Sequence, residues 1–556
     1  MSATSRRALI ASGSRELLLA MFFVGLAAYM TRPLAVDLRG QTLAGIDPPI
    51  YVWMVDWLAR HLLQPSQLFE GNVFHPAPHA ALYSDLALGS ALLVAPLAPL
   101  VADPVPLYNL SVILTLAFGG WAFCALVRSL SGGVAAGLFA GITAAFGPHQ
   151  MGHVYQLGLI NIGGLALFLI GLHRTLERPN LRNASLTGVA FALNALSCAY
   201  FAVAATLLAL VFAACNARAL RSARPLAGFG AAALLALALL SPYLRAFSQV
   251  KEQPEVTRPL VASEDWAFKP GRDLTSRAWV YRRFWPRGGE ALFPGVAVLG
   301  LGALGIARRC RSWSFLVLGA LLLTVLSLGP NVPVLGLNLG LGYRTLFAIP
   351  PLDVMMHPYS FAAAARLLLC VLAGLGFGSL WVLASVRVRG LSLVVAAALG
   401  ILEVAAPRLP VVAVARGIPP VYDLLAGLPE GAVLEVPLER RDAMIWAARH
   451  RRPVINGAGG VSPKVHGILE RAIQTHWIRP ARAGEAIDVD ATRPTALLRL
   501  LPVRYLIIPA GRSPGLVPLR EAVDRSRSFA RVAAAGDGDV LYRVLGPETS
   551  TSPASP

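Results

Sequence analysis

The chain has 556 residues, 56% of them hydrophobic and 14% charged, with a mean hydropathy of +0.60, a balance that excludes an ordinary soluble domain. The net charge of +19 invites a nucleic-acid partner. However, many arginines sit in short turns between apolar runs, where they set membrane orientation, so a bilayer and no nucleic acid is the expected environment.

Runs such as ELLLAMFFVGLAAYM, GFGAAALLALALL and FLVLGALLLTVLSL are long enough to cross a hydrocarbon core of about 30 Å. No small-residue cleavage site follows the first run, which reads as an uncleaved signal anchor. Arg6, Arg7 and Arg15 precede it and place the N-terminus in the cytoplasm. The apolar run 88–101 is read as lying in the outer interface or dipping back, because a full crossing would put every later basic turn on the wrong side. The turns with Arg128, Arg174/Arg178/Arg182, Arg218/Arg221/Arg224, Arg308/Arg309/Arg311 and Arg387/Arg389 are then all cytoplasmic.

Eleven spans follow: 15–33, 106–127, 132–147, 158–173, 183–198, 200–217, 226–247, 291–307, 312–329, 360–385 and 390–406. The external segments are 34–105, 148–157, 248–290, 330–359 and everything after 407. The fold class is thus an all-α polytopic membrane protein over 1–409, followed by a small extracytoplasmic α/β domain over 410–546 and a disordered tail, 547–556. In the α/β part, GAVLEVPL, RPVINGAG, VRYLIIPAG and DVLYRVL read as strands, while ERRDAMIWAARHR and HGILERAIQTHW read as helices. The five cysteines lie within or beside apolar runs without metal-ligand spacing, and none falls in the C-terminal domain, which folds without disulfides.

The first external loop is the most informative segment. Loops between membrane helices are usually short, and this one carries Asp47, Asp56, His75, His79 and Asp85. Asp47 precedes two prolines, so its backbone is read as extended and its side chain as projecting from a stiff turn; capping of the helix that starts near Pro49 is the alternative. Asp56 lies on that helix between Trp53 and Trp57, which would rest in the membrane interface, and a solvated polar face competes with a substrate contact there. His75 and His79 sit in HPAPH; they place two imidazoles near a single metal with no third ligand evident, or they hydrogen-bond substrate, or they only shape the loop.

HQMGHVYQ, with His149 and His153, is pinned between two spans and is expected to face the cavity of Asp47. Its histidines suit a phosphate donor or a proton shuttle, with a helix-end role as the alternative. The 248–290 loop carries Lys251, Arg258, Lys269, Arg272, Arg277, Arg282, Arg283 and Arg287. Arg282 and Arg283, in WVYRRFW, are the expected phosphate cradle, with attraction to anionic lipid headgroups as the alternative. Glu264, Asp265 and Glu290 read as partners of these arginines, and His357 in MMHPYS is placed near the same cavity. GLGALG at 300–305 fits a dinucleotide pattern but lies in an apolar helix, where small residues serve close packing. DVD at 488–490 mimics a nucleotide-sugar metal motif without a supporting fold.

The order of an acidic first external loop, many spans, functional external loops and a C-terminal external domain resembles the GT-C class of integral-membrane glycosyltransferases, and more narrowly a group of bacterial GT-C-like membrane proteins. The matching segments are DPPIYVWMVDW, NVFHPAPHAALYSD, EALFPG and LEVPL…RPVINGAGGVSP…LLPVRYLIIP. The resemblance implies a polyprenyl-phosphate-linked sugar donor and an extracytoplasmic acceptor (glycan, lipid or protein) at a bacterial inner membrane. It matches Asp47 to the class's signature first-loop acid, and it indicates neither a metal nor a further cofactor. The chain departs from the class in lacking an Asp-Glu pair in the first loop, and in carrying His149 and His153 where some relatives place a second Asp. On this reading Asp47 and His153 are the candidate catalytic residues and Arg282 and Arg283 hold the donor phosphate. Asp56, His75, His79, Asp85, His149 and His357 are candidate substrate contacts. A transporter or flippase, or a non-catalytic envelope scaffold, is the rival reading; a translocation path would need ionisable residues along the bundle, and the spans are almost free of Asp, Glu and Lys.

Overall fold

The computed structural model describes residues 3–131, 133–252, 259–285, 289–334, 337, 338, 340–350, 352–383, 386–405, 409–415 and 417–545. Arg258, Arg287 and the tail 547–556 lie outside the described residues. The chain is a multi-pass helical membrane protein. Its main helices are α1 (Ala3–Met30), α2 (Pro48–His61), α3 (Pro104–Ser131), α4 (Val134–Phe146), α5 (Gly163–Glu177), α6 (Leu181–Ala195), α7 (Ala199–Cys215), α8 (Ala223–Lys251), α9 (Val296–Ala307), α10 (Trp313–Ser327), α11 (Tyr359–Leu383) and α12 (Val386–Val404).

Apart from α2, each of these overlaps one of the apolar segments read from sequence. Among the described residues, five helical segments are individually long and apolar enough to cross a membrane: Gly13–Met30, Pro104–Leu130, Leu157–Glu177, Ala223–Lys251 and Tyr359–Leu380. The run 88–101 forms only a helix over Leu88–Val94 and one tight turn over Ala95–Leu97. At 1.5 Å per residue such a piece spans about 15 Å, half of a hydrocarbon core, so it does not cross by itself.

α11 is the central post of the bundle: Phe361, Ala363, Leu367, Leu368 and Val371 are fully buried, and α9, α10 and α4 pack around it. Close approach explains the glycines of the GLGALG segment. A Cβ on Gly305 would lie 2.7 Å from the Leu372 carbonyl oxygen of α11, so no larger residue fits there. Arg366 is also buried in α11. Its guanidinium donates to the carbonyls of Thr143 at 3.2 Å and Ala144 at 3.0 Å and to the side chain of Gln150, which caps the C-terminal end of α4.

The C-terminal part folds as a four-stranded sheet with helices packed on it. Besides the pair β1 (Gln41–Leu43) and β2 (Val411–Ala413), the strands are β3 (Ala432–Glu435), β4 (Val503–Ile508), β5 (Phe529–Ala534) and β6 (Val540–Val544). The sheet order is β3-β4-β6-β5, with β3 and β4 parallel and the other pairs antiparallel. Leu434, Leu506, Ile508, Trp477 and Tyr542 form a second hydrophobic core under it. RPVINGAG, expected as a strand, contributes only a bridge at Val454, which pairs with Val433.

The first loop and the C-terminal part are stitched together by main-chain bonds. β1 pairs antiparallel with β2. Val454 N donates to Asn72 O at 2.7 Å, and Phe74 N and His75 N donate to Asn456 O and Val454 O at 3.0 and 2.9 Å. Asn72 anchors the joint: its amide donates to Ala447 O at 2.8 Å and Arg452 O at 3.0 Å, while its oxygen accepts from Trp53 Nε1 at 2.8 Å. Arg449 adds a 3.1 Å ion pair to Asp103. The C-terminal part is therefore seated directly on the loop that carries Asp47.

Candidate functional site

Pro48 and Pro49 open α2, positions where a missing N–H costs nothing. Asp47 immediately precedes them with φ −90° and ψ −28°, a helical and not an extended backbone. Its carbonyl has to accept the first helical bonds, from Ile50 N at 2.9 Å and Tyr51 N at 3.2 Å, and that requirement overrides the preference of a residue before proline. The side chain makes no capping bond, so the carboxylate is available to other partners. Gln156 Nε2 donates to Asp47 Oδ2 at 3.1 Å. From the C-terminal part, Arg441 Nη1 lies 3.5 Å from Asp47 Oδ1 and donates to Ile46 O at 2.9 Å.

Asp85 follows the short helical turn Ala80–Tyr83. It is half-buried and has no hydrogen bond or ion pair among the described residues. Burial, and secondarily the charge of Asp47, pushes its carboxyl up to about 6. Gly158 backs it closely: a Cβ there would lie 3.2 Å from Asp85 Oδ2.

Both carboxylates line one cavity of about 250 Å³, near the lower end of ligand-pocket sizes. Its walls come from α2, the turn 82–86, residues 156–159, the α6–α7 junction, Tyr243 and Phe247 of α8, residues 355–360, and Arg441 with Gly459–Val461. Arg441 is the one Lys or Arg among the described lining residues. Tyr200 organises the wall opposite the first loop. Its hydroxyl accepts from Met356 N at 3.0 Å and His357 N at 3.1 Å, which directs its own hydrogen to His357 Nδ1 at 3.2 Å. The Tyr83 and Ser360 hydroxyls, on two further lining residues, are buried and have no hydrogen-bond partner among the described residues.

Of the ten candidates read from sequence, the cavity gathers Asp47, Asp85 and His357. The others sit elsewhere. His149 and His153 form a separate buried cluster with Glu290: His149 Nδ1 donates to Glu290 O at 2.7 Å, and His153 Nε2 lies 2.7 Å from Glu290 Oε2. Glu290, expected to pair with the loop arginines, takes His153 as its hydrogen-bonding partner. Burial raises its carboxyl, but the His153 bond and the charges of His153, Arg272 and Arg277 outweigh that and hold it below the ordinary range. Burial, with the charges of His153 and Arg366, keeps His149 well below the ordinary imidazole range and so neutral.

Asp56 is buried and bound to Arg60 at 2.8 Å; the same guanidinium donates to Ala98 O at 2.7 Å and Val101 O at 2.6 Å, a clamp on the end of the first loop. His79 lies in a different groove against α8, 2.8 Å from Glu70 and 2.6 Å from Gln249. His75 is half-exposed, and burial lowers its imidazole. Arg282 and Arg283 are exposed and do not line the cavity. Among the described residues no group of three or more His, Cys, Asp or Glu is placed to hold a metal. Asp490 of the DVD segment accepts from Ser526 at 2.6 Å and Ser528 N at 3.1 Å, a structural loop tie.

Sequence reading missed Arg441, Gln156, Tyr83, Tyr200 and Ser360. Arg441 stands in a stretch of arginines that otherwise reads as the polar side of an amphipathic helix, and nothing local marks it as facing Asp47.

No protein-family model matches the chain, and no curated protein matches it. Among solved structures it is similar to the archaeal oligosaccharyltransferase AglB from Archaeoglobus fulgidus in complex with an inhibitory peptide and a dolichol-phosphate, with 12% identity and a TM-score of 0.49 over 96% of this chain and 74% of that one. It is also similar to ArnT from Cupriavidus metallidurans in the apo state, with 12% identity and a TM-score of 0.46 over 98% of this chain and 100% of that one. Both are GT-C glycosyltransferases. Identity and scores at this level assign no activity to the chain.

Proposed function

We propose that the cavity transfers a glycosyl group from a polyprenyl-phosphate-linked donor to the hydroxyl of an extracytoplasmic acceptor, at the outer face of a bacterial inner membrane. The observation that carries this reading is the convergence of Asp47, Asp85 and Arg441 on one cavity where the C-terminal domain meets the helical bundle. Glycosyl transfer to a hydroxyl needs a group to take the acceptor proton and cationic or hydrogen-bonding groups to receive the leaving phosphate. Both kinds of group are present here.

In this scheme the acceptor oxygen attacks the anomeric carbon as the bond from that carbon to the phosphate oxygen breaks. The polyprenyl phosphate leaves with the bonding electron pair. Asp47, oriented by Gln156, accepts a hydrogen bond from the acceptor hydroxyl and positions it. Asp85, without a competing partner and with its carboxyl near 6, takes the proton. A single displacement of this kind inverts the anomeric centre. His357 lines the same cavity with Nδ1 engaged by Tyr200. Arg282 and Arg283 are assigned to attracting the anionic carrier headgroup at the membrane face, outside the cavity.

The test is transfer from a polyprenyl-phosphate sugar by the purified protein. Asp47→Asn and Asp85→Asn should each lose transfer at unchanged membrane abundance; activity at wild-type level in both variants would remove the cavity from the reaction.

A further inference from the structure

We propose that Arg441 is a ligand for the phosphate of a prenyl monophosphate, and that this ligand draws Arg441 away from Asp47, so that Asp47 becomes available to the acceptor only after the donor is in place. The inference rests on the donor class assigned above and adds an order of binding and a role for the C-terminal domain.

Arg441 differs from Arg60 and Arg449, which tie the first loop to its neighbours, in how it spends its donors. Arg60 uses Nε, Nη1 and Nη2 on Asp56, Ala98 O and Val101 O. Arg449 uses all three nitrogens on Asp103, Ala415 O and Gly417 O. Those guanidiniums are committed to structure. Arg441 makes its contacts through Nη1 alone, and its Nε and Nη2 have no partner among the described residues. Its 3.5 Å separation from Asp47 is long beside the usual 2.7–2.9 Å of a charge-assisted bond. The side chain is still 35% exposed. The fork is therefore open and loosely held, and a forked guanidinium fits two phosphate oxygens at once.

A second, independent observation points to the same ligand. The buried, unpartnered hydroxyls of Tyr83 and Ser360 belong to the lining of the same cavity. Buried polar groups are normally satisfied, and hydroxyl hydrogens here would meet an acceptor-rich ligand. A phosphate offers several acceptor oxygens, and the two carboxylates of the cavity would repel it. Arg441 is the cation that offsets that repulsion. Because Asp47 and the phosphate compete for one guanidinium, their effects on it are reciprocal: whatever weakens the hold of Asp47 strengthens the hold on phosphate.

The experiment titrates farnesyl phosphate into the full-length protein in detergent by calorimetry, with farnesol and inorganic phosphate as parallel probes. Wild type, Arg441→Ala, Arg441→Lys, Asp47→Asn and the double variant Asp47→Asn/Arg441→Ala are compared. Arg441→Ala should weaken farnesyl phosphate by about tenfold or more and leave farnesol unchanged, with Arg441→Lys between. Asp47→Asn should bind farnesyl phosphate several-fold more tightly than wild type, and the double variant should lose that gain. Lost repulsion alone would also tighten Asp47→Asn, so a gain that survives in the double variant relative to Arg441→Ala would mark Arg441 as purely structural and overturn the inference. Wild-type affinity in Arg441→Ala, or no tightening in Asp47→Asn, would overturn the inference while leaving the donor class standing. Inorganic phosphate bound as tightly as farnesyl phosphate would make this a free-phosphate site and overturn the prenyl assignment. A wild type that binds no farnesyl phosphate would overturn the donor reading and the inference together.

Discussion

Arg441 and Asp47 are separated by 394 residues in sequence, yet the guanidinium of one lies 3.5 Å from the carboxylate of the other. The contact joins the start of α2 to the C-terminal part, and main-chain bonds on both sides hold the two in register. The cavity is thus built by two regions of the chain that neither hydropathy nor local motif connects.

The second carboxylate sets the expected pH dependence. Asp85 faces Asp47, Tyr51, Cys198, Tyr200 and Tyr243, and of these Asp47 carries the negative charge at neutral pH. Burial and that charge both raise the Asp85 carboxyl, to about 6. A base works only when ionised, so transfer should rise with pH through about 6 and level off above it. Residual transfer in Asp47→Asn should rise at lower pH, because one of the raising charges is gone. A wild-type rate that is flat between pH 5 and 8 would take the base role away from Asp85 (the two pH values are about one unit or more to either side of the carboxyl).

Gly158 offers a gentler perturbation. A methyl there would meet Asp85 Oδ2 at 3.2 Å, so the carboxylate has to yield by a few tenths of an ångström. Gly158→Ala should lower transfer by about tenfold with little change in thermal stability, since sub-ångström misplacement of a reacting group is costly. Equal activity in Gly158→Ala and wild type would show that the position of Asp85 does not matter.

The joint between the first loop and the C-terminal part should fail at Asn72. Replacing it by Ala leaves Trp53 Nε1, the buried Ala447 carbonyl and the half-buried Arg452 carbonyl without their partner. A loss of about 2–3 kcal/mol is expected from the unsatisfied groups. Limited proteolysis should then cut between 405 and 431 faster in Asn72→Ala than in wild type. Identical digestion rates would show that β1–β2 pairing and the Arg449–Asp103 bridge hold the joint without Asn72.

Arg282 and Arg283 make a different prediction because they lie outside the cavity. Arg282→Ala/Arg283→Ala should weaken binding to vesicles containing anionic lipid, roughly 1 kcal/mol per removed charge. Binding of farnesyl phosphate in the cavity should be unchanged. Loss of farnesyl phosphate binding in this variant would return these arginines to the role of phosphate cradle.

The helical bundle was legible because long apolar runs have few alternatives in a bilayer. The basic turns favoured a reading in which 88–101 does not cross, and the Leu88–Leu97 piece is too short to cross by itself. Asp47 stood out through the acidic, proline-bounded loop. Other features depend on tertiary neighbours that no local pattern encodes. His149 and His153 look identical in sequence to cavity ligands, but Glu290 draws them into their own cluster. Asp56 reads as a polar site residue until Arg60, one turn on, claims it. The strand Phe529–Ala534 is short, preceded by Arg525 and Arg527 and followed by the GDGD turn, and its pairing with Val540–Val544 is what defines it. Arg441 was hidden for the same reason: its partner lies at the opposite end of the chain.

The most direct test of the account is a transfer assay in proteoliposomes that follows release of polyprenyl phosphate from a polyprenyl-phosphate sugar. Wild type is compared with Asp47→Asn and Asp85→Asn at matched protein abundance. The account predicts acceptor-dependent release by wild type and a loss of about a hundredfold or more in each variant. Release unaffected by both substitutions, in a protein that is active, would contradict it.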